Sequence, residues 1–304
     1  MIGALASLAS SFTWSAGTSV YARLSKEVTP SQIGFTRALV ALPLFLFSTL
    51  FFEFPELSLA QRQEFLGRIA GTQGFWLLTS MIASYGLGDL FFFWSTRALG
   101  VPGALALASS YPLWSAAAGF FFFGQSLSIL KILGVASTVA GTVVVILVGY
   151  HHRKREVESW IERFPVGVLF GALTSIFWAI NAFAVARGTE GLAPHFANSV
   201  RMVIAVGLCP VIGFFLFRQW RFGISWRRFV PVSWVFVLES YGGSFFFVYG
   251  FAHAPIAVAS ALSSLAPVIA VPVAWWSKHE AVSFWKAAGV ALAVFGAILL
   301  VLPG

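Results

Sequence analysis

The most constraining feature of this sequence is that it contains one long pattern twice. Adding 164 to a residue number carries the stretch that begins at Gly3 onto the stretch that begins at Gly167, without a gap. The residues that match under this shift are Gly3 with Gly167, Leu5 with Leu169, Ser11 with Ser175, Trp14 with Trp178, Ala22 with Ala186, Arg23 with Arg187, Pro30 with Pro194 and Arg37 with Arg201. A repeat of this length predicts two copies of one structural unit.

The repeat continues through the rest of each half after a difference in connector length. From the third apolar run onward the shift is 155. It pairs Phe91 with Phe246, Leu107 with Leu262, Ser109 with Ser264, Pro112 with Pro267, Lys131 with Lys286, Gly134 with Gly289 and Gly141 with Gly296. We call residues paired by either shift repeat mates. The pattern predicts a first repeat over residues 1–150, a polar linker over 151–165 and a second repeat over 166–304.

Composition places both repeats in a membrane. The chain is 59% hydrophobic and 10% charged, with a mean hydropathy of +0.86, whereas soluble domains carry about 25% charged residues. A water-soluble core of this length cannot bury its 33 Phe and 12 Trp. We predict helices, because open sheets leave backbone groups unsatisfied in lipid and the sequence has no alternating barrel pattern.

Ten apolar runs are long enough to cross a bilayer core, which requires about 20 residues per helix. The runs are Ile2–Leu24, Pro30–Phe52, Thr72–Arg97, Pro102–Phe123, Ile129–Tyr150, Val166–Arg187, Pro194–Phe217, Phe229–His253, Ile256–Ser277 and Ser283–Leu302. Each repeat holds five, an odd number, so the second repeat enters the membrane from the opposite side. The predicted fold is an all-α polytopic membrane protein with ten transmembrane helices in two inverted five-helix repeats. Secondary transporters commonly use this plan and bind their substrate near the midplane.

The distribution of Lys and Arg predicts the orientation of the chain. Connectors on one side of the membrane hold thirteen of the 19 Lys and Arg residues, and connectors on the other side hold four. Arg37 and Arg201 lie within helices. The positive-inside rule therefore places both termini outside the cytoplasm. The net charge of +8 does not indicate nucleic-acid binding, because the sequence has no basic face with interleaved aromatic residues.

Five motifs occur in the same order in both halves: a Trp in the first helix, an Arg in the second, a Ser-rich helix with a Pro, a short turn and a Gly-rich helix. They are Trp14 and Trp178, Arg37 and Arg201, Ser109-Ser110-Tyr111-Pro112 and Ser263-Ser264-Leu265-Ala266-Pro267, Gly124-Gln125 and His279-Glu280, and Gly134, Gly141, Gly289 and Gly296. This ordered set resembles the ten-helix, EamA-like branch of the drug/metabolite transporter superfamily. Each copy of the turn keeps half of the usual Gly-Glu pair.

The resemblance implies secondary transport, by export or exchange, of a small polar metabolite such as an amino acid or a sugar. It implies no particular substrate, because members share a fold and not a cargo. Members are often drawn with both termini in the cytoplasm, which is the reverse of the orientation that the loop charges predict.

Asp89 and Glu239 lie within apolar runs, where a charge is expensive and is usually functional. Asp89 is the only Asp of the chain, and we interpret it as a proton or cation site. The alternative is a structural ion pair, for instance with Arg97. The segment Gly86-Leu87-Gly88-Asp89 also resembles the motif of intramembrane aspartyl proteases, which need a second carboxylate to share a proton. Glu239 has Ser84 as its mate, so it breaks the symmetry as a coupling or substrate-amine site would.

Arg37 and Arg201 are mates about two turns into their helices. Each guanidinium can bind a substrate carboxylate or phosphate through two parallel hydrogen bonds. The alternatives are snorkelling to the membrane surface and capping of another helix's carbonyl groups. Because both mates retain the Arg, we favour a gating or structural role over anion binding.

Polar-tipped aromatic residues and hydroxyls complete the candidate substrate site. Such side chains stack on a flat group and hydrogen-bond its edge, although helix packing and interfacial anchoring are alternative uses. The candidates beside Asp89 and Glu239 are Trp14, Trp178, Asn181, Tyr85, Tyr111, Ser110, Tyr241 and Ser264. We expect Trp14 and Trp178 to face one another across the cavity.

Two further expectations concern the backbone. Pro112 and its mate Pro267 fall within apolar runs and should bend their helices. The connector Phe54–Ile69 is amphipathic and is expected to lie on the membrane surface as a short helix.

Other chemistries lack the residues that they need. The five His residues lie at helix ends or in loops without metal-ligand spacing, and no nucleotide-binding loop indicates transport driven by ATP. We therefore predict a cell-membrane secondary transporter that works by alternating access, with a membrane channel or an intramembrane enzyme as the alternative. Its expected partners are a small-molecule substrate, the bilayer and, as an open alternative, a coupling proton or cation. We expect no cofactor, no metal and no nucleic acid. The sequence does not determine the oligomeric state.

Overall fold

The computed structural model describes residues 1–25, 27–124, 128–153, 164–266, 268–269 and 283–301, and within them every regular element is a helix. The first repeat contains α1 (Ile2–Leu24), α2 (Pro30–Ser48), α3 (Leu59–Ala70), α4 (Thr72–Met81), α5 (Asp89–Ala108), α6 (Tyr111–Phe123) and α7 (Ile129–Arg153). The second repeat contains α8 (Phe164–Gly188), α9 (Pro194–Phe217), α10 (Trp226–Phe229), α11 (Ser233–Phe236), α12 (Ser244–His253), α13 (Ile256–Ser263) and α14 (Phe284–Val301).

Five stretches of the described chain are long and apolar enough to cross a membrane. They are Pro30–Glu56, Thr72–Leu99, Pro165–Gly188, Pro194–Phe217 and Trp226–His253, and shorter apolar helices span Ile129–Val144 and Ala287–Leu300. Large apolar side chains such as Phe51, Phe121 and Phe215 are exposed on the outer surface. This surface is what a lipid environment requires, and it confirms the prediction of an all-helical polytopic membrane protein.

The mates α2 and α9 pack against each other in opposite directions. Ser31 near the start of α2 accepts a hydrogen bond from Gln219, just beyond the end of α9, at 2.8 Å. At the other end, the Thr49 and Ser199 hydroxyls are 3.0 Å apart. A helix that lies antiparallel to its own repeat mate is related to it by a two-fold axis perpendicular to both. The two repeats are therefore inverted, as predicted.

The mates α7 and α14 also pack against each other in opposite directions, and glycines form their interface. A Cβ atom on Gly134 would lie 2.8 Å from Leu300 Cγ, and one on Gly141 would lie 2.4 Å from the backbone nitrogen of Ala293. The contact partner moves backwards along α14 as the residue number increases along α7. Small residues let the two backbones approach closely, which is how helices associate in lipid.

Each repeat also packs its first helix against the third segment of the other repeat. A Cβ on Gly250 of α12 would clash with Ser7 Oγ of α1, and one on Gly171 of α8 would lie 3.1 Å from Ser95 Oγ of α5. Ser7 and Gly171 are mates, as are Ser95 and Gly250. The two interfaces are thus formed by repeat mates, with the Gly and the Ser exchanged between the partners.

The chain turns back on itself within α5. The Cβ position of Gly171 lies within 3.1 Å of Ser95 Oγ and also 2.5 Å from Leu107 Cδ1. In a straight α-helix twelve residues would separate these two positions by about 18 Å. The segment from Asp89 to Ala108 therefore contains a reversal, which agrees with the predicted boundary between the runs that end at Arg97 and begin at Pro102.

A short π-helix over Thr49–Glu53 follows α2, and two longer π-helices interrupt predicted regular helices further along the chain. One spans Ile82–Gly88 between α4 and α5, and the other spans Val237–Gly243 between α11 and α12. The two segments are mates over their whole length under the shift of 155. π-Helical turns are rare and often mark functional sites. We call them the first π-helix and the second π-helix.

The prediction that Pro112 bends the middle of a helix is wrong. Pro112 is the second residue of α6, after a break at Ser109 and Ser110. A helix tolerates Pro in its first turn, because the missing N–H would have no partner there. Its mate Pro267, the turn His279-Glu280 and residues 154–163 of the linker lie outside the described residues.

The amphipathic connector forms a helix as predicted. The Ser58 side chain accepts from the backbone N–H of Gln61, and the Gln61 side chain accepts from the N–H of Ser58, so α3 begins with a capping box. On the inner face of α3, Phe65 is buried and stacks on Phe196 with ring centroids 5.5 Å apart.

Replacing Gly141 by Ala tests the close approach of α7 and α14. The added methyl group would meet the α14 backbone, so we expect a loss of stability of about 1–3 kcal/mol, typical of overpacking. The measurement is thermal unfolding of the purified protein in detergent. Gly207→Ala in α9 is the matched control, because no atom lies within 4 Å of its Cβ position. Equal stability of the two variants would contradict the described packing.

Candidate functional site

The two repeats enclose a cavity of about 120 Å³ where they meet. The predicted site residues that line it are Trp14, Arg37, Tyr85, Asp89, Tyr111, Trp178, Asn181, Arg201, Glu239 and Ser264. Pockets for drug-sized ligands measure roughly 300–1,000 Å³, so this conformation accommodates only a small molecule. The first and second π-helices bring Tyr85 and Glu239 to the cavity, and Asp89 follows the first π-helix directly.

Arg37 is the centre of a buried ionic network. Its Nε and Nη2 donate to the two carboxylate oxygens of Glu239 at 3.0 and 2.6 Å, and its Nη1 donates to Asp89 at 2.6 Å. The Tyr21 hydroxyl donates to Glu239 at 2.8 Å. All four side chains are buried. Since Glu239 belongs to the second repeat, this network ties the repeats together with a bidentate ion pair.

Aromatic rings surround the Arg37 guanidinium on several sides. Its Cζ lies 4.3 Å from the ring centroid of Tyr85, 5.2 Å from that of Tyr21 and 5.5 Å from that of Trp14. Each distance falls within the range of a cation–π contact. The cation is therefore held by two carboxylates and three rings, which fixes its position and limits its access to water.

These contacts correct two of the alternatives raised for the charged residues. Asp89 pairs with Arg37 and not with Arg97, which donates instead to the backbone carbonyl of Ser25 at 2.9 Å. Arg37 neither snorkels to the surface nor caps a helix, because its side chain is buried and its three hydrogen bonds go to the carboxylates of Glu239 and Asp89.

Arg201, the mate of Arg37, has neutral partners. It donates to Ser80 Oγ at 3.2 Å, to Asn198 Oδ1 at 3.2 Å and to Asn181 Oδ1 at 3.5 Å. Its side chain is buried, and among the described residues no carboxylate forms an ion pair with it. The symmetric pair of arginines therefore sits in two different electrostatic environments.

Trp14 and Trp178 meet directly and do not face each other across open space. Their ring centroids are 5.8 Å apart with an interplanar angle of 83°, an edge-to-face contact. Trp178 also meets the Tyr111 ring edge-to-face. The Trp pair thus forms one wall of the cavity.

Ser110 and Tyr241 do not line the cavity. The Ser110 hydroxyl donates to the carbonyl of Leu107 and lies 2.8 Å from Ser175 Oγ. The Tyr241 hydroxyl hydrogen-bonds Ser48 near the end of α2. Both side chains therefore contribute to contacts between helices.

Sequence reasoning missed several residues of the site. Tyr21 binds Glu239, and the hydroxyl side chains that line the cavity include Ser10, Thr13, Ser84, Ser109, Ser244 and Ser263. Tyr21 lies seven residues after Trp14, which places both on one face of α1, so this spacing was a usable signal. The serines gave no such signal, because Ser is also common wherever membrane helices pack closely.

Replacing Tyr21 by Phe removes the hydroxyl that donates to Glu239 and nothing else. We expect a loss of about 1.5–3 kcal/mol in unfolding free energy, the value of a hydrogen bond to a charged group. Tyr85→Phe is the matched control, because the buried Tyr85 hydroxyl has no hydrogen-bond partner among the described residues. Unfolding of both variants in detergent checks this expectation, and equal losses would contradict the network.

Comparisons with known proteins agree with this architecture. An uncharacterized transporter of Archaeoglobus fulgidus is 25% identical over 310 residues, which covers 100% of this chain and 99% of the relative. A crystal structure of a protein with 17% sequence identity matches with a TM-score of 0.73, covering 99% of this chain and 98% of that one, which shows a shared fold. The EamA-like transporter family model matches residues 1–147 and 165–302. The chain belongs to the EamA-like transporter family.

Proposed function

We propose that the protein is a secondary transporter of the cell membrane that moves a small polar or amphipathic metabolite, such as an amino acid, by alternating access. The observation that carries this proposal is one cavity between the inverted repeats, which both repeats line and whose lining includes the Arg37–Glu239 ion pair. Following the family resemblance, we propose export or exchange as the mode of transport.

The symmetry of the interfaces supports alternating access. The contact of α1 with α12 and that of α8 with α5 are formed by repeat mates, with matching Gly and Ser positions, but the two interfaces are not equally close. If the repeats exchange conformations, each interface takes the geometry of the other, and the cavity opens to the opposite side. Transporters with inverted repeats are understood to rock in this way around a fixed site.

The cavity residues favour a transporter over the alternative functions. A channel requires a continuous row of polar groups through the membrane, whereas here the edge-to-face rings of Trp14, Trp178 and Tyr111 wall the cavity. An aspartyl protease requires two carboxylates that share a proton. Asp89 and Glu239 are instead bound to different nitrogens of one guanidinium.

Reconstitution into proteoliposomes tests the transport function. We expect saturable counterflow of at least one compound from a panel of radiolabelled amino acids, sugars and amines. Saturation is expected because the cavity holds a single small molecule. A flux that rises linearly with concentration would contradict this proposal and favour a channel.

Glu239→Gln tests whether the ionic network takes part in transport. Removing the charge leaves Arg37 with Asp89 as its only carboxylate, so we expect transport to fall by at least about tenfold, or its pH dependence to change, by loss of a buried charge-assisted pair. Glu190→Gln is the matched control, because Glu190 forms a half-exposed ion pair with Arg187 outside the cavity. Wild-type transport by the Glu239 variant at every pH would exclude a coupling role.

A further inference from the structure

The two repeats differ in how they neutralise the buried arginine. In the first, Arg37 pairs with Asp89 and Glu239. The repeat mate of Asp89 is Ser244, and the repeat mate of Glu239 is Ser84. Both serines line the cavity, as Arg201 does. The second repeat has therefore kept its arginine and lost both positions at which a carboxylate would bind it.

The neutral groups around Arg201 leave part of its hydrogen-bonding capacity unused. A guanidinium carries five N–H donors, and the structure gives Arg201 three acceptors, all of them neutral. Arg201 is 3% exposed and lines the cavity. A buried cation without an anionic partner is costly, so this position is poised to gain stability from an anion that enters the cavity.

A second donor is unused in the same cavity. The Tyr85 hydroxyl is buried and has no hydrogen-bond partner among the residues that the structure describes. Tyr85 is 5% exposed and lines the same cavity as Arg201 and Arg37. Its ring is held against the Arg37 guanidinium at 4.3 Å. A buried phenol hydroxyl without a partner is unusual in a folded protein. Its position in the cavity indicates that a ligand supplies the acceptor.

We infer that Arg201 and Tyr85 form the subsite for a carboxylate group of the transported molecule, an inference that rests on the proposed transport function. Both free groups donate hydrogen bonds, so the missing partner is an acceptor, and the unpaired guanidinium requires it to be anionic. The cavity carries two arginines and two carboxylates, so its formal charge is zero before the ligand enters. A carboxylate adds one negative charge where a doubly charged phosphate would add two. In a zwitterionic amino acid the ammonium group would face Asp89, which lines the same cavity.

Ligand chemistry provides the first test. Counterflow of wild-type protein in proteoliposomes is measured with L-amino acids, with their carboxamides and with the corresponding amines and carboxylic acids as competitors. We expect compounds that keep the carboxylate to compete at least about tenfold better than carboxamides, the discrimination expected from a lost hydrogen-bonded ion contact. Equal competition by amino acids and carboxamides overturns the inference.

Restoring the missing carboxylate provides the second test. Ser244→Asp places in the second repeat the carboxylate that Asp89 supplies in the first. We expect this variant to fold and to lose carboxylate transport, because the new side chain occupies Arg201. Arg201→Gln should also lose transport, and Arg201→Lys should recover part of it. Carboxylate transport at the wild-type level in Ser244→Asp overturns the inference.

A single hydroxyl provides the third test. Tyr85→Phe should raise the KM for carboxylates about tenfold, the value of one hydrogen bond to a charged group, while leaving thermal stability unchanged. The control is Ser115→Ala, since the Ser115 hydroxyl is also buried without a partner among the described residues but lies outside the cavity. An unchanged KM in Tyr85→Phe contradicts the role of this hydroxyl.

The outcomes separate the two proposals. If the wild-type protein moves no member of the panel by a saturable process, the transport function itself fails. If it moves sugars, amines or carboxamides by a saturable process and carboxylates neither travel nor compete, the transport function stands and the carboxylate subsite is overturned.

Discussion

The interaction on which the rest of the structure depends is the buried pairing of Arg37 with Glu239 and Asp89. Charges taken out of water are expensive, and an ion pair of this kind survives only when every partner is in place. Removing one partner of such a pair costs about 3–5 kcal/mol, because the other charge stays buried. The network therefore holds α2, the start of α5 and the second π-helix in one arrangement, and that arrangement shapes the cavity.

The glycine and serine interfaces make a different contribution. In lipid, apolar surface gives little driving force for association, so helices are held by close van der Waals packing of small residues. Ser7 against Gly250 and Ser95 against Gly171 are examples in which a glycine leaves room for a serine side chain of the neighbouring helix. These close contacts of small residues occur in both repeats with inverted symmetry, and they are compatible with the rocking motion that we propose. The central ion pair supplies the specific connection between the repeats.

The departures from symmetry are where the protein acquired chemical specificity. Symmetry alone would give two equivalent arginine sites. Glu239 in place of a serine satisfies Arg37, whereas Ser84 at the matching position leaves Arg201 with neutral partners. A transporter needs this difference, because a site that is fully neutralised by the protein has no free energy to gain from an ionic substrate.

The sequence by itself determined the membrane class, the two repeats, their inversion and half of the residues that line the cavity. These features follow from hydrophobic run length, helix parity and the rarity of polar residues in lipid, all of which can be read along the chain. Only the tertiary structure decided which charges meet: Asp89 with Arg37 and not Arg97, and Arg201 with no carboxylate of the described residues. It also decided the π-helices and the position of Pro112 at a helix start. Such pairings depend on distances between side chains of different helices, and local sequence patterns do not encode those distances.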